Sequence, residues 1–283
     1  MRRVIGITGI SGLIGKTLSN RFSQSGFEIK SLSRNFNQED VGECDIIINL
    51  AGASINQRWT KINRAIILNS RVETTKKIKE YIKKCGTNRP SLLISASAVG
   101  IYPDTDGSEI TPHYYDEYSI EKADNFLAGV CESWEKEALE LKTDIRVAII
   151  RLGVVLTPKG GALSKMALPF RLGVAGTIGS GLQPFPWVSL EDLERAVEFI
   201  INNDELKGVF NITSPILANN RELTNVLAAR YKSFIKLRIP LFAIRTILGE
   251  SSMLVTRGQY VSPKRLLEYG FEFKTRKLSE SVI

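Results

Sequence analysis

The stretch Val4–Gly15, VIGITGISGLIG, decides the fold expected for this chain. It begins as an apolar, β-branched run typical of a buried strand and continues into a helical pattern. Gly9 permits a tight turn, Gly12 lets a ligand approach the backbone, and Gly15 lets the helix pack closely on the strand. Free N–H groups at such a helix start bind a pyrophosphate. The residues expected to bind it are Gly9, Ile10, Ser11, Gly12, Leu13, Ile14 and Gly15.

Short β-branched runs alternate with longer amphipathic stretches over the first two-thirds of the chain. Several runs are apolar almost throughout, as expected for parallel strands covered on both faces. This alternation predicts a parallel sheet with right-handed crossovers. The predicted strands are Val4–Thr8, Glu28–Leu32, Asp45–Leu50, Ser91–Ser95, Ile145–Leu152 and Gly208–Ile212. The predicted helices are Ile14–Ser25, Lys61–Lys84, Ser119–Lys142 and Leu190–Asn202.

The pattern is less regular after about Lys159. Residues 173–188 contain four glycines and two prolines, which predicts a loop. We expect an α/β protein with a doubly wound parallel Rossmann sheet and a smaller, mainly helical C-terminal lobe. Further helices are predicted at Arg221–Tyr231, Leu241–Leu248 and Pro263–Tyr269. The predicted regions are a dinucleotide-binding Rossmann domain at 1–158, with sheet contributions from 185–215, and a substrate lobe with a small C-terminal domain at 159–283.

The 283-residue chain has a net charge of +8 that is unevenly distributed. From Lys207 onward it has 13 Lys and Arg against 5 Asp and Glu, whereas the first 206 residues have 25 of each. A basic surface can face an anionic partner, but no nucleic-acid-binding motif occurs. No apolar run approaches the about 18 residues that cross a membrane, and no signal-peptide pattern occurs. We expect a cytoplasmic monomer or homodimer that binds neither nucleic acid nor membrane.

Cysteine and histidine are too scarce to suggest a metal site or a disulfide framework. Cys44, Cys85 and Cys131 are widely separated, and His113 is the only histidine. A zinc site or a Ser-His-Asp triad would need His113, and no nucleophile-elbow motif accompanies it. We expect free thiols and no metal.

The end of the second predicted strand favours NADP over NAD. NAD-binding proteins usually carry an acidic residue here, which bonds the adenosine ribose. No Asp or Glu occurs between Lys30 and Gln38. Arg34 offers a fork of donors for a 2′-phosphate and Ser33 offers a hydroxyl.

The third predicted strand ends in small residues. Leu50, Ala51 and Gly52 bring bare backbone to the carboxyl edge of the sheet, where open α/β sheets bind ligands. We expect these three residues to line the adenosine-ribose side of the cofactor.

Together these segments resemble the extended short-chain dehydrogenase/reductase superfamily, also called the NAD-dependent epimerase/dehydratase family. Further segments resemble one atypical, epimerase-like subgroup with a small extra C-terminal domain. The resemblance spans nearly the whole chain and does not supply a substrate. The segments that carry it are Asn49–Gly52, Arg58–Trp59, Ser70–Thr75, Ser95–Tyr102, Arg151–Leu156, Pro169–Gly173, Gly179–Gln183, Gly249–Ser252 and Pro263–Leu266.

The resemblance also implies NADP as the cofactor and adds two binding residues. Arg71 stands where extended members often carry an asparagine, and a guanidinium there could bond a phosphate or ribose oxygen. Val155 follows the fifth predicted strand and would contact the cofactor through its backbone or apolar surface.

Hydride-transferring members of the superfamily use Ser, Tyr and a Lys four residues after the Tyr. Ser97 fits the serine position, with Ser95 as the alternative. Tyr118 and Lys122 have the required spacing on a helix.

The subgroup resemblance favours a different superposition of that helix. It puts Phe126 and Val130 at the Tyr and Lys positions, so the usual proton relay would be absent. Tyr102, near Ser97, is then the remaining candidate acid.

The leading functional hypothesis is an NADP-dependent oxidoreductase or nucleotide-sugar-epimerase-like enzyme acting on a small molecule. The alternative is an NADPH-binding regulatory protein, related to cell division or redox sensing, with little turnover. A missing Tyr-Lys pair and the basic C-terminal part favour the alternative, whereas Ser97 and a cleft between two lobes favour the enzyme. A nucleic-acid binder, the third hypothesis, would show steeply salt-dependent affinity.

Overall fold

The computed structural model describes residues 3–279 and has the predicted α/β architecture. Its centre is a six-stranded sheet in which every pair of neighbouring strands is parallel. The predicted regions begin at residue 1 and end at residue 283, so residues 1–2 and 280–283 of them lie outside the described residues.

All six predicted strands of the main sheet are confirmed, with ends that differ by three residues or fewer. The order across the sheet is β10-β5-β4-β3-β1-β2. The strands are β1 (Val4–Thr8), β2 (Glu28–Leu32), β3 (Ile46–Asn49), β4 (Leu92–Ala98), β5 (Arg146–Leu152), β6 (Val154–Leu156), β7 (Val174–Ile178), β8 (Pro184–Phe185), β9 (Trp187–Ser189), β10 (Gly208–Ile212), β11 (Ala218–Asn219) and β12 (Ile235–Ile239).

Helices cover both faces of the main sheet. On one face, Leu18 and Phe22 pack with Val197 against the apolar strand residues. On the other face, Ile78 and Ala138 close a second cluster. The helices are α1 (Leu13–Gln24), α2 (Gln38–Gly42), α3 (Lys61–Lys84), α4 (Phe126–Leu139), α5 (Gly161–Met166), α6 (Leu168–Arg171), α7 (Leu190–Ile201), α8 (Asn220–Arg230), α9 (Leu241–Leu248), α10 (Met253–Thr256) and α11 (Lys264–Glu268).

The strand register brings the carboxyl ends of the central strands together at one edge of the sheet. Thr8 pairs with Leu32 on one side and with Asn49 on the other, and Asn49 pairs with Ser95. The chain leaves β1 for β2 and then crosses to β3 on the opposite side of β1. This reversal creates a crevice beyond the ends of β1 and β3, the position at which open α/β sheets bind ligands.

The predicted helix Ser119–Lys142 is wrong over its first seven residues, because α4 begins only at Phe126. The Asn125 side chain caps α4 by accepting a hydrogen bond of 3.0 Å from the Ala128 N–H. A side chain that satisfies this exposed donor fixes the helix start. The preceding residues run as irregular chain, tied by the Ala123 N–H to the Ile101 carbonyl at 2.9 Å.

The prediction of a loop at 173–188 is also wrong, because the segment contains β7, β8 and β9. β7 pairs in parallel with β12, and β9 pairs with β6. Gly173 and Gly176 are typical of loops, but here their missing side chains make room for Phe234 and Ile239. The smaller lobe therefore contains short two-stranded sheets beside its helices.

Within residues 3–279, no helix combines the length and apolar character needed to cross a membrane.

Candidate functional site

A cleft of about 680 Å³ lies at the carboxyl edge of the sheet. We call the part formed by the glycine loop, the end of β3 and Arg71 the cofactor end. We call the part formed by α4 and the C-terminal lobe the substrate end. The cofactor end contains Gly9, Gly12, Leu13, Ile14, Gly15, Leu50, Ala51, Gly52 and Arg71. The substrate end contains Asp104, Leu127, Val130, Cys131, Phe185, Met253, Leu254, Arg257 and Gln259.

The glycine loop has no room for side chains where it faces its neighbours. Gly9 has a φ of +67°, and a Cβ there would lie 2.8 Å from the Leu50 carbonyl oxygen. A Cβ on Gly15 would lie 2.7 Å from the Ile10 Cα. Gly12 is the N-cap of α1 and no side chain caps that helix start. The first N–H groups of α1 therefore remain available to an anion in the cleft.

A buried hydrogen-bond network, which the sequence analysis did not identify, holds the end of β3 against this loop. The Thr8 hydroxyl donates to Asn49 Oδ1 at 2.7 Å and accepts from the Leu50 and Ala51 N–H groups at 3.1 and 3.2 Å. Asn49 Nδ2 donates to the Thr75 hydroxyl on α3 at 2.8 Å. Because every partner is buried or half-buried, the network fixes the backbone that forms this wall.

Arg71 on α3 places its guanidinium over Gly52 in the cofactor end. A Cβ on Gly52 would lie 2.9 Å from the guanidinium carbon. Arg71 Nη1 donates to the Ile67 carbonyl at 2.9 Å, and the guanidinium carbon lies 5.3 Å from the centre of the Trp134 ring. Among residues 3–279, no carboxylate pairs with it. Burial lowers the pKa of Arg71, which means that it disfavours the charged guanidinium. A half-buried cation of this kind needs a compensating anion, and none of the described carboxylates supplies it.

Four predicted binding residues do not form the walls of the cleft. Ile10 packs against the apolar core and Ser11 is exposed in the glycine loop. Ser33 and Arg34 lie directly after β2 and are exposed. Lys77 on α3 lies beside them, since its ammonium donates to the Arg34 carbonyl at 3.2 Å.

Ser97 lies on β4, inside the strand rather than beyond it, and forms part of the cleft wall. Its hydroxyl donates to Glu135 Oε1 on α4 at 2.6 Å. Arg151 on β5 binds the same carboxylate twice, through Nε at 2.8 Å and Nη2 at 2.7 Å. Burial alone would lower the pKa of Arg151, but the hydrogen bonds and charge of Glu135 raise it above its usual value.

The fixed direction of this hydroxyl sets what Ser97 presents to the cleft. Both oxygens of the Glu135 carboxyl accept hydrogen bonds here, from Arg151 and from Ser97. The single hydroxyl hydrogen of Ser97 is therefore directed at Glu135. What remains for a ligand is the lone pairs of the Ser97 oxygen, so the ligand group that binds there is a hydrogen-bond donor.

Tyr102 does not reach the cleft. Its side chain is 1% exposed, and its hydroxyl accepts from Arg151 Nη1 at 2.7 Å. The same hydroxyl lies 3.0 Å from the Asp116 carbonyl oxygen and from Asn211 Oδ1. Burial, the largest influence, raises its pKa. The structure therefore places the Tyr102 hydroxyl in the buried network behind Ser97 and not at the cleft, where the predicted acid would meet a substrate.

Tyr118 and Lys122 also lie elsewhere. Both side chains are exposed in the irregular segment before α4, so they do not share a helix face. The Tyr118 hydroxyl donates to Glu268 Oε2 at 2.7 Å, and the Lys122 ammonium lies 3.6 Å from Glu132 Oε1. The Tyr-Lys alternative therefore fails.

The face of α4 that meets the cleft is apolar where a Tyr-Lys pair would act. Leu127, Val130 and Cys131 line the cleft there, and the latter two are buried. Burial raises the pKa of the Cys131 thiol to about 11, so it is uncharged at neutral pH. Phe126, the other residue of the alternative superposition, packs against Trp59 with ring centres 5.3 Å apart.

Val155 lies on β6, a short strand that directly follows β5, and lines the cleft.

The described residues contain no group of three His, Cys, Asp or Glu side chains placed to hold a metal.

The sheet order, the bare helix start at its reversal point and the glycine cradle together define a Rossmann-type dinucleotide-binding α/β protein. Comparison with known proteins gives the family. Residues 5–213 match the model of the NAD dependent epimerase/dehydratase family, and residues 239–282 match a domain of unknown function, DUF1731. The chain belongs to the NAD-dependent epimerase/dehydratase family.

Individual relatives resemble the chain along nearly its whole length. An epimerase family protein of Staphylococcus epidermidis is 33% identical over 100% of this chain and 98% of its own length. A chloroplastic SDR39U1 homologue of Arabidopsis thaliana is 33% identical over 98% of this chain and 85% of its own. The crystal structure of human epimerase family protein SDR39U1 with NADPH superposes with a TM-score of 0.89 at 28% identity, covering 99% of this chain and 98% of the other.

Proposed function

We propose that this chain is an NADP(H)-dependent oxidoreductase that acts on a small molecule. The observation that carries the proposal is Arg71, a half-buried cation that has no carboxylate partner among residues 3–279 and lines the same cleft as the bare start of α1. A diphosphate or ribose-phosphate oxygen would supply the missing anion. The human relative whose structure contains NADPH supports the same cofactor.

The proposal assigns each group of the cofactor end to a part of the dinucleotide. Gly9–Gly15 would hold the diphosphate, and Leu50–Gly52 would face the adenosine ribose. Arg34, with Ser33 and the neighbouring Lys77, would bind the 2′-phosphate that distinguishes NADP from NAD. Val155 would contact the nicotinamide side through apolar surface.

When bound, the nicotinamide ring of this cofactor supplies or accepts a hydride. The chain would provide the accompanying proton movement without a Tyr-Lys pair. A substrate hydroxyl donates its hydrogen bond to the Ser97 oxygen. As that proton passes to Ser97, the hydroxyl proton of Ser97 passes to Glu135, 2.6 Å away. Reduction of a carbonyl is the reverse sequence, so each proton is accounted for in both directions.

Cofactor preference tests the first half of the proposal. We expect calorimetric titration to show NADPH binding about 10-fold more tightly than NADH, because one charge-assisted contact to phosphate is worth about 1.5–3 kcal/mol. Arg34→Gln should remove most of that preference. Arg230→Gln, an exposed arginine on α8, is the matched control and should leave it unchanged. Equal wild-type affinity for the two cofactors would refute NADP specificity.

Turnover tests the second half. A panel of secondary alcohols with NADP, followed at the absorbance of NADPH, should show activity that Ser97→Ala lowers on the order of 100-fold, the usual contribution of positioned proton transfer. Ser95→Ala is the control, because Ser95 is buried on the same strand but does not line the cleft. Equal loss in both variants would contradict a role for Ser97.

A second candidate, an NADPH-binding regulatory protein with little turnover, is favoured by the apolar face of α4. It predicts tight NADPH binding, no oxidation of any alcohol in the panel, and an NADPH-dependent partner. A cytoplasmic location belongs to the same proposal, since the three free thiols suit a reducing compartment.

A further inference from the structure

We infer that the substrate end of the cleft accepts an uncharged, largely apolar molecule and excludes anionic ones such as nucleotide sugars. The inference rests on the proposed function, because it takes the cofactor end to be filled by NADP(H). Two features of the substrate end support it. Its walls are apolar, and Arg257, its cation among the described residues, is already paired with Asp104.

Apolar side chains from three separate parts of the chain form these walls. Leu127 and Val130 project from α4, and Phe185 comes from β8. Met253 and Leu254 come from α10 in the C-terminal lobe. A ligand enclosed by such side chains gains affinity from apolar surface and loses it for each polar group left without a partner.

Arg257 is the cation of this end, and Asp104 already binds it. Arg257 Nε forms an ion pair with Asp104 Oδ1, and Nη2 donates to the Asp104 carbonyl at 2.8 Å. The second carboxylate oxygen of Asp104 accepts from Asn125 Nδ2 at 3.1 Å. Asp104 therefore uses both oxygens within the protein.

Backbone pairing fixes this ion pair in place. Thr105 and Gly258, the residues that follow Asp104 and Arg257, exchange N–H to carbonyl hydrogen bonds of 2.7 and 2.9 Å. The two charged residues are thus held at adjacent positions of a small bridge. Because the backbone already holds the two residues next to each other, this ion pair costs less side-chain entropy than most surface pairs do.

An anionic substrate that takes the Nε and Nη2 donors of Arg257 would have to displace this carboxylate, and one that approaches beside them meets the negative charge of Asp104. The Asp104 side chain is only 12% exposed, so losing Arg257 would leave a mostly buried charge with one amide partner. Among the described residues that line the cleft, Arg71 is the other cation, and the proposed function assigns it to the cofactor. No cation is left over for the diphosphate of a nucleotide sugar.

Calorimetry on the NADPH-loaded protein tests this inference with three probes. We expect 1-tetralol or 2-decalol, both uncharged bicyclic alcohols whose hydroxyl can donate to Ser97, to bind about 10-fold or more tightly than UDP-glucose, as apolar walls favour them. UDP-glucose binding as tightly as either alcohol, or no measurable binding of either alcohol, would overturn the inference. Failure of NADPH itself to bind would instead refute the proposed function, so the two outcomes are distinguishable.

A charge variant tests the reason for the exclusion. Asp104→Asn frees Arg257 and should raise UDP-glucose affinity about 10-fold relative to that of either bicyclic alcohol. Asp124→Asn, which removes an exposed charge from the same segment, is the control and should change neither affinity. No gain in Asp104→Asn, with NADPH affinity intact, would show that Asp104 does not exclude anions and would contradict the assignment.

Discussion

The cofactor end and the substrate end of the cleft each contain one arginine, but in opposite electrostatic states. Arg71 lies over Gly52 and has no carboxylate partner among residues 3–279. Arg257 is paired with Asp104 and lies at the end of the cleft that has the apolar walls. The first end lacks an anion and the second is already neutral, so the partner of each arginine decides which ligand charge each end accepts.

We expect the largest effect on ligand affinity at one end of the cleft from a substitution in the glycine loop. Gly15→Ala would push a Cβ into the Gly9 carbonyl and to within 2.7 Å of the Ile10 Cα, so α1 must move away from the loop. Overpacking of this kind costs about 1–3 kcal/mol, and we expect NADPH affinity to fall on the order of 100-fold. Calorimetry measures the loss, and circular dichroism checks that the chain is folded.

Gly129→Ala on α4 is the matched control, because a Cβ there meets nothing within 4 Å. It should leave NADPH affinity unchanged and slightly stabilise the helix. If Gly15→Ala bound NADPH as well as Gly129→Ala, the cofactor end would not be where we place it.

The buried pair behind Ser97 joins the two ends, and breaking it should destabilise the whole chain. Arg151→Met leaves Glu135 buried without its cation, and we expect a loss of about 3–5 kcal/mol in the free energy of unfolding. The double variant Arg151→Met, Glu135→Leu should recover most of it. Urea denaturation measures both changes.

An exposed pair provides the comparison for that experiment. Lys274→Met removes the partner of Glu191, and both side chains are largely exposed, so the expected cost is below about 1 kcal/mol. Equal costs for Arg151→Met and Lys274→Met would mean that Glu135 is solvated and not held for Ser97.

The pH dependence of the unfolding free energy tests whether the surroundings of Cys131 in the substrate end are apolar. Burial raises its pKa from 9.0 to about 11, so the folded state keeps a proton that the unfolded state loses. This contribution to stability is complete below pH 9 and is lost between pH 9 and 11. We expect the pH-dependent fall in unfolding free energy over that range to be about 2 kcal/mol smaller in Cys131→Ala. An identical fall in both proteins would mean that the thiol is hydrated.

Local patterns were sufficient for the sheet and the glycine loop. The spacing of Gly9, Gly12 and Gly15 depends on contacts between neighbouring residues of one strand–turn–helix unit, so the sequence shows it directly. The helical pattern alone predicts a start at Ser119 instead of Phe126, although Asn125 is a normal capping residue, because the preceding charged segment continues that pattern.

The rest of the site depends on distant pairs. Glu135, Arg151 and Tyr102 are brought together by α4, β5 and the turn after β4, and no local pattern relates them. The sequence does indicate that a partner exists, because an arginine such as Arg151 within the apolar strand Arg146–Leu152 needs a buried partner. Its partner could not be identified without the fold. The same holds for Asp104 and Arg257, which are separated by 153 residues.

The opposite states of the two arginines can be tested in one calorimetric experiment. NADPH is titrated into the wild type, Arg71→Gln and Arg257→Gln. Because only Arg71 lacks an anion, we predict that Arg71→Gln weakens NADPH binding about 10-fold or more and that Arg257→Gln changes it by less than about twofold. Equal losses in the two variants, or unchanged affinity in Arg71→Gln, would contradict the assignment of the cofactor to the glycine-loop end of the cleft.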